Sequence, residues 1–548
     1  MMKYKVIALV GKAGAGKAQP NTTLIPTPNG FKELGSIKVN DEIFDKNGKP
    51  TKVLGVFPQG KLAAYKVTLK DGRTTICGAE HIWSCFTSRN NLKQFTTEEL
   101  LKNGLVDGSR AFKYQIPMNG AVDYSEKDYS IDPYVIGAFL GDGCNTERIV
   151  TLSSSDLEIV NTIGTLTHTV PKPYSPDLKT SYSWKFYSIK DQKYLTNREY
   201  FSEFATELLT TCDNKQIPTI YKYGSLEQRL RLIQGLLDTD GSILLRRESK
   251  RSASIRYTSI NLNLILDVQE ILFSLGYKST IVKDKRIEKY SNGTCYNLNI
   301  SVPNTDKAKL FLLSRKKDQA KSEANYPDHK RYDRIPIVNI EPLNQELEMT
   351  CLYVDNPDHL YLTNDYIVTH NTSLLEEVLT GNLGKYDLHE IVSYTTREPR
   401  QGEIDGLNYH FVDKYTFADM VHDGRMLEYT KFNNWMYGTA LDSLSAEKTN
   451  IGVFNPAGII SLMNRPDIDL YVIYITATDK ERLIRQLTRE KEPDVREVLR
   501  RYDADEDDFY LFEQHTIGKL AHFTRIENGD HLLWRALDAL EKTLDKIV

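Results

Sequence analysis

Gly11-Lys-Ala-Gly-Ala-Gly16-Lys17 is a run of small residues ending in a cation, a composition able to wrap a phosphate. Backbone N–H groups around Gly11, Gly14 and Gly16 can point inward at phosphate oxygens, and Lys17 can reach the terminal ones. Residues 4–10 before it form a short apolar run suited to a buried parallel strand. The pattern strand–GxxxxGK[ST]–helix next requires a hydroxyl, to hold Mg²⁺ and open the helix. Ala18-Gln-Pro20-Asn follows instead, and it neither ligates a metal nor propagates a helix. The missing hydroxyls occur as Thr372-Ser373, followed by Leu-Leu-Glu-Glu-Val-Leu at helical spacing. Joining Lys17 to Thr372 yields VIALV-GKAGAGK-TSLLEEVL, a complete loop between strand and helix. Residues 18–371 therefore read as an insertion, with Lys17, Thr372 and Mg²⁺ serving a nucleoside triphosphate once the halves meet.

The edges of the insertion carry a second chemistry. At its downstream end stands Val368-Thr369-His370-Asn371. An asparagine amide can attack its own carbonyl, forming a succinimide and cutting the chain after itself, with His370 assisting by proton transfer. Thr372 can receive the upstream segment as an ester, and an O-to-N acyl shift then yields a peptide bond. Residues 23–50 alternate short strands with turns, and Thr74-Thr-Ile-Cys77-Gly-Ala-Glu-His81-Ile-Trp83 follows. These edges resemble those of inteins, as does the segment around Cys351 and His359. The resemblance implies an all-β horseshoe splicing fold in which His81 activates the upstream scissile peptide. The threonine usual three residues before that histidine is here Gly78. An intein normally begins with Cys or Ser, whereas Ala18 has no nucleophilic atom. Trp83, Cys351 and Thr369 match the Trp–Cys–Thr signature of class 3 inteins, which implies that Cys351 attacks the upstream junction directly. The alternative is a splicing-disabled precursor, in which a cysteine at 18 was replaced by alanine and only DNA binding or cleavage remains.

Two segments inside the insertion repeat one another: Tyr134-Val-Ile-Gly-Ala-Phe-Leu-Gly141-Asp142-Gly143 and Leu232-Ile-Gln-Gly-Leu-Leu-Asp238-Thr-Asp240-Gly241. Small glycines permit two helices to pack closely and bring an acidic residue from each to a shared centre. Asp142 and Asp240 could there bind divalent cations and activate water for phosphodiester cleavage. Both segments resemble the LAGLIDADG motif of homing endonucleases, which implies double-stranded DNA as the partner and one catalytic carboxylate per strand. Basic runs at 246–257, 315–317 and 330–331 would supply phosphate contacts, with Lys316 and Lys317 as candidates only for an active-site lysine.

Beyond the insertion, the segment from Ser393 through Arg397 and Arg400 to Tyr409 suits a phosphate dianion, with arginine forks and a phenolic donor. It resembles the GMP-binding segment of guanylate kinases. Glu428, Tyr437 and Thr439 match the positions that hold base and phosphate; a carboxylate can accept from guanine N1–H and N2–H. Arg485, Arg489 and Arg500 resemble lid and ATP-side arginines. The implied reaction is transfer from ATP to GMP or dGMP. One departure concerns the usual Asp-x-Asp, where this chain has Val453-Phe-Asn455-Pro-Ala457.

These residues must be positioned by several separate cores, because 548 residues exceed what one core accommodates. The expected architecture is multidomain: a split α/β P-loop kinase from 1–17 and 372–548, an all-β splicing domain from 18–121 and 326–371, and an α+β endonuclease from 122–325. A net charge of −4 gives no global nucleic-acid signature, so basic character must be regional. Six cysteines in so long a chain are not a disulfide framework. With no apolar run of membrane length, no membrane partner and a cytoplasmic location are expected.

Overall fold

The computed structural model describes residues 4–11, 18–79, 81–87, 90–144, 148–174, 182–211, 214–244, 254–284, 294–322, 332–356, 360–370, 386–399, 405–406, 409–432, 435–476, 502, 509–527 and 533–548. Two long strands organise the all-β unit at the edges of the insertion. Pro50–Leu69 and Arg334–Val354 run antiparallel from Leu69 opposite Ile337 to Val53 opposite Val354, with four register shifts along the way. Such irregularities let strands this long bend rather than splay into solvent. Gln115–Pro117, Ile82–Phe86 and Leu92–Thr96 extend the sheet, and Trp83, Cys77, Ile335 and Ile337 fill its core. The first residues of the insertion, Gln19–Pro20, add to the side of Arg334–Val354. Its last strand, Val368–His370, pairs with Leu360–Leu362.

The chain leaves this sheet after Pro117 and returns opposite it, because Pro117 pairs with Arg334. Between them lie two central helices, α1 (Pro133–Asp142) and α2 (Leu226–Asp240). Asp132 caps α1 through Tyr134 N, with proline at the first turn, and Ser225 with Gln228 forms a capping box on α2. Glycine is required where they meet. A Cβ at Gly137 would lie 2.2 Å from the Leu232 carbonyl oxygen, and one at Gly235 would lie 2.3 Å from that of Tyr134. Each helix runs straight into a strand, Gly143–Cys144 or Gly241–Leu244, that begins its own antiparallel sheet. Helices α3 (Leu262–Ser274) and α4 (Ser314–Ser322) complete the second half. One apolar cluster spans both halves, including Ile136, Leu140, Leu236, Leu272 and Leu298. A separate cluster joins this helical unit to the all-β unit and includes Phe273 of α3, Tyr366 and Val368.

Tyr4–Gly11 is the central strand of a third unit, parallel to Asn450–Val453 on one side and Ile468–Thr476 on the other. Burial of Val6, Ile7, Ala8, Leu9 and Val10 on both sheet faces accounts for the unbroken apolar run in the sequence. Helix α5 (Pro456–Met463) follows the Asn450–Val453 strand, and a smaller four-stranded sheet holds Met426–Phe432 beside Trp435–Ala440. The whole is a multidomain chain of α/β, all-β and α+β units. Among the described residues no helix is long and apolar enough to cross a membrane.

Candidate functional site

Three groups of side chains stand out, one in each unit. In the all-β unit both described edges of the insertion meet the turn between Thr74–Gly78 and Ile82–Phe86. Gly78 N donates to the Ala18 carbonyl at 3.0 Å. Three residues on, His81 Nε2 lies 2.6 Å from Thr369 Oγ1, and its ring meets that of Trp83 edge-on at 4.9 Å. A backbone amide thus grips the first residue of the insertion where a threonine was expected to help. Trp83 is buried and donates through Nε1 to Thr97 Oγ1 at 3.0 Å, which fixes the wall behind the histidine. His370 Nε2 lies 3.1 Å from Gln94 Nε2.

Cys351 is the partly exposed cysteine of this region. Gln19 pairs with Thr350 and Pro20 with Met349, so the start of the insertion lies along the strand that carries Cys351. Ala18 is itself 2% exposed, packed against Ala64 and Met349. Burial pushes the Cys77 thiol up to about 12 and that of Cys85 higher still, so both stay protonated within the core. Gln94, Thr97 and Tyr361, whose hydroxyl donates to Gln19 Oε1 at 3.3 Å, were not legible as site residues. Gln94 and Tyr361 meet partners far away along the chain, and Thr97 meets Trp83 across the turn into the next element. Asn371, Thr372 and Ser373 lie outside the described residues, as do Gly14, Gly16 and Lys17.

The second group sits where α1 and α2 end. Asp142 and Asp240 face one another across the glycine contact, and a Cβ at Gly141 would lie 3.2 Å from Asp240 Oδ2. Burial raises both carboxyls; that of Asp240, raised further by the charge of Asp142, reaches about 6. Lys316 and Lys215 act in the opposite direction on both. Lys316 Nζ donates at 2.7 Å to the carbonyls of Leu237, Asp238 and Gly241, capping the end of α2. Burial lowers its ammonium to about 8. Lys215 takes the corresponding place on α1, donating to Gly143 O at 2.9 Å and Phe139 O at 3.2 Å. Lys215 was missed in the sequence, although aligning the two halves on their aspartates brings Lys215 close to Lys316.

Asp238 serves structure instead. Its Oδ2 accepts from Tyr134 OH and from the amides of Leu312 and Leu313. The basic run at 315–317 also differs from expectation. Arg315 is paired with Asp156, and Lys316 is buried under α2, so neither offers a loose phosphate contact.

Among the described residues no cluster of three or more potential metal ligands is found. Two converging carboxylates nevertheless suit Mg²⁺, which commonly takes one or two protein oxygens and completes its shell with substrate phosphate and water.

The third group lines the smaller sheet of the kinase-like unit. Glu428 pairs with Thr439 in register, and Thr439 Oγ1 lies 3.3 Å from Ser393 Oγ. Burial raises the Glu428 carboxyl, while hydrogen bonds from Thr439 oppose the shift. The guanidinium of Arg397 lies 5.7 Å from the Tyr409 ring, which meets that of Tyr437 edge-on at 6.0 Å. Asn455, in place of the expected carboxylate, caps α5 by accepting from Gly458 N at 2.7 Å. Arg400, Arg485, Arg489 and Arg500 lie outside the described residues. Gly11, the first residue of the expected phosphate loop, is the last residue of the central strand.

Two family models match separate stretches of the chain. The guanylate kinase family model matches residues 369–517, and that of the LAGLIDADG-like domain matches 227–312. The chain is similar to a replicative DNA helicase DnaB of Mycobacterium intracellulare, at 28% identity over 77% of this chain and 70% of that protein. It is similar to the guanylate kinase of Sphingopyxis alaskensis, at 36% identity over 21% of this chain, and spans about half (53%) of that enzyme's length. Among solved structures it is similar to the gp41-1 intein, at 32% identity over 18% of this chain and 75% of that one, with a TM-score of 0.15. A guanylate kinase match thus follows a LAGLIDADG-like match within one chain, which supports a guanylate kinase interrupted by an intein with a homing endonuclease domain.

Proposed function

We propose that the chain is a precursor whose insertion, residues 18–371, excises itself and joins Lys17 to Thr372. The observation that carries this reading is the single turn that touches both edges: Gly78 holds Ala18 and His81 meets Thr369. In this scheme the sulfur of Cys351 attacks the Lys17 carbonyl carbon. The Lys17–Ala18 peptide bond breaks, and the leaving amine of Ala18 takes a proton from His81. The resulting thioester passes to the hydroxyl of Thr372. Asn371, aided by His370, then cyclises to a succinimide and frees the insertion. Migration of the acyl group from oxygen to nitrogen leaves an ordinary peptide bond. The splicing unit comprises 18–121 and 326–371, and the endonuclease comprises 122–325.

Ligation completes the phosphate loop, and the mature enzyme transfers a phosphoryl group from ATP to GMP or dGMP. Gly11, Gly14, Gly16 and Lys17 hold the donor phosphates with Thr372, Ser373 and Mg²⁺, and Arg485, Arg489 and Arg500 neutralise the transferring group. Ser393, Arg397, Arg400, Tyr409 and Tyr437 hold the acceptor phosphate, and Glu428 with Thr439 reads guanine. The excised intein cuts double-stranded DNA at intein-free copies of the gene. There Asp142 and Asp240 hold Mg²⁺, which supplies an activated water and charge neutralisation. Lys215 and Lys316 fix the two helix ends and moderate the repulsion between the carboxylates. Cys351→Ala tests the splicing route: a hydroxylamine-sensitive thioester should form in the unmodified chain and be absent from the variant. Unchanged thioester and spliced product in C351A would overturn it.

A further inference from the structure

The two sheets that follow α1 and α2 share a strand order, and among the described residues their outer faces differ. In the second half, Ile255, Tyr257, Leu298 and Ile300 face the core, so alternation turns Arg256, Thr258, Asn297 and Asn299 to the other side. These are tied in pairs across the strands. Arg256 Nε donates to Asn299 Oδ1 at 3.1 Å, and Thr258 Oγ1 donates to Asn297 Oδ1 at 2.9 Å. Ser242 opposes Arg256 and Thr280 opposes Asn299 on the same face.

In the first half, Leu152 and Phe186 face the core, and the outer side carries cations laid over rings. Lys172 Nζ lies 4.0 Å from the centre of the Tyr187 ring, and Lys185 Nζ lies 4.0 Å from Tyr174 and 5.6 Å from Tyr194.

Those chemistries recognise duplex DNA differently. Guanidinium and amide groups held in a plane can bond two atoms of one base edge, guanine for Arg and adenine for Asn. Ammonium groups are point charges suited to any phosphate, and tyrosine rings pack on sugar or base without reading its edge. Mutual hydrogen bonds among the second-half side chains hold them in position before DNA arrives, which lowers the ordering cost of binding.

We infer that the two halves divide the work unequally, with Arg256 and Asn299 specifying base identity, buried Asn297 bracing Thr258 beside them, and Lys172, Lys185 and Tyr187 supplying sequence-tolerant affinity. The inference rests on the DNA-cutting reading above and adds to it which half-site is read closely.

The test combines cleavage of a randomised duplex library, sequenced at the cut ends, with binding titrations of the full chain against selected and random duplexes. Arg256→Ala and Asn299→Ala should relax base preference at positions within one and the same half-site, by about 5- to 150-fold each. Lys185→Ala and Tyr187→Ala should weaken binding to selected and random duplexes equally. The K185A variant should also lower the salt dependence by about one phosphate contact. Relaxed base preference in K185A or Y187A as large as in R256A would overturn the division of labour while leaving the nuclease reading intact. Failure of the unmodified chain to select any duplex would overturn both.

Discussion

Replacing Asp240 by asparagine should make the endonuclease region more stable while removing its activity, and pH should separate the two effects. In the folded chain the Asp240 carboxyl titrates at about 6 against an ordinary 3.8, chiefly because burial disfavours its charged form. A carboxyl raised on folding contributes stability that is complete below its unfolded pKa and lost as pH rises through the folded one. A rise of about two units corresponds to about 3 kcal/mol lost from this group between roughly pH 4 and pH 7. Asp240→Asn carries no charge and escapes that loss. Loss of the carboxylate also removes a partner of Lys316, whose ammonium is already lowered to about 8 by burial, so the net gain should be nearer 1–2 kcal/mol at pH 7.5. Native-state hydrogen exchange over residues 133–142 and 226–240, corrected for intrinsic rates and run in chelator, reads this locally. D240N should exceed the unmodified chain in opening free energy at pH 7.5 and match it near pH 4. Added Mg²⁺ should stabilise the unmodified chain and leave D240N unmoved. An opening free-energy difference that is constant from pH 4 to 7.5 would refute the reasoning.

Gly137→Ala or Gly235→Ala places a methyl against a backbone carbonyl of the facing helix, so α1 and α2 must separate. Destabilisation of about 1–3 kcal/mol is expected by denaturation, with cleavage lowered as the two aspartates part. Thr369→Val removes the hydroxyl beside His81 and should slow cleavage at the upstream junction; His81→Ala should slow it by about 10²–10⁴-fold, read by gel densitometry over time. In the spliced enzyme, Glu428→Gln should raise KM for GMP by roughly 10- to 100-fold with a smaller change for ATP, because a half-buried charged acceptor is lost. A coupled-enzyme assay with GMP and dGMP checks this.

Much of this organisation was legible in the chain because its signals are local or repeated. The interrupted phosphate loop showed itself as two halves of one pattern, and Asp142 and Asp240 as two copies of another. The glycines at 137 and 235 announced a close helix crossing, and the structure supplies the reason, a facing carbonyl within van der Waals distance. Less legible were roles that depend on strand register and long chain separation. Nothing near Gln94 announces His370, and Gly78 lacks the hydroxyl expected of it yet uses its backbone amide. The basic run at 315–317 read as a source of phosphate contacts, but Lys316 is buried against the end of α2 and exposed Arg315 is paired with Asp156. Asn455 likewise reads as a lost carboxylate in the sequence and as a helix cap in the fold.

The most direct test of the central claim is the intact mass of what accumulates when the unmodified chain is expressed and held under native conditions. Self-excision predicts two species, residues 1–17 joined to 372–548 and the released segment 18–371. Persistence of the intact 548-residue chain as the sole species would contradict it.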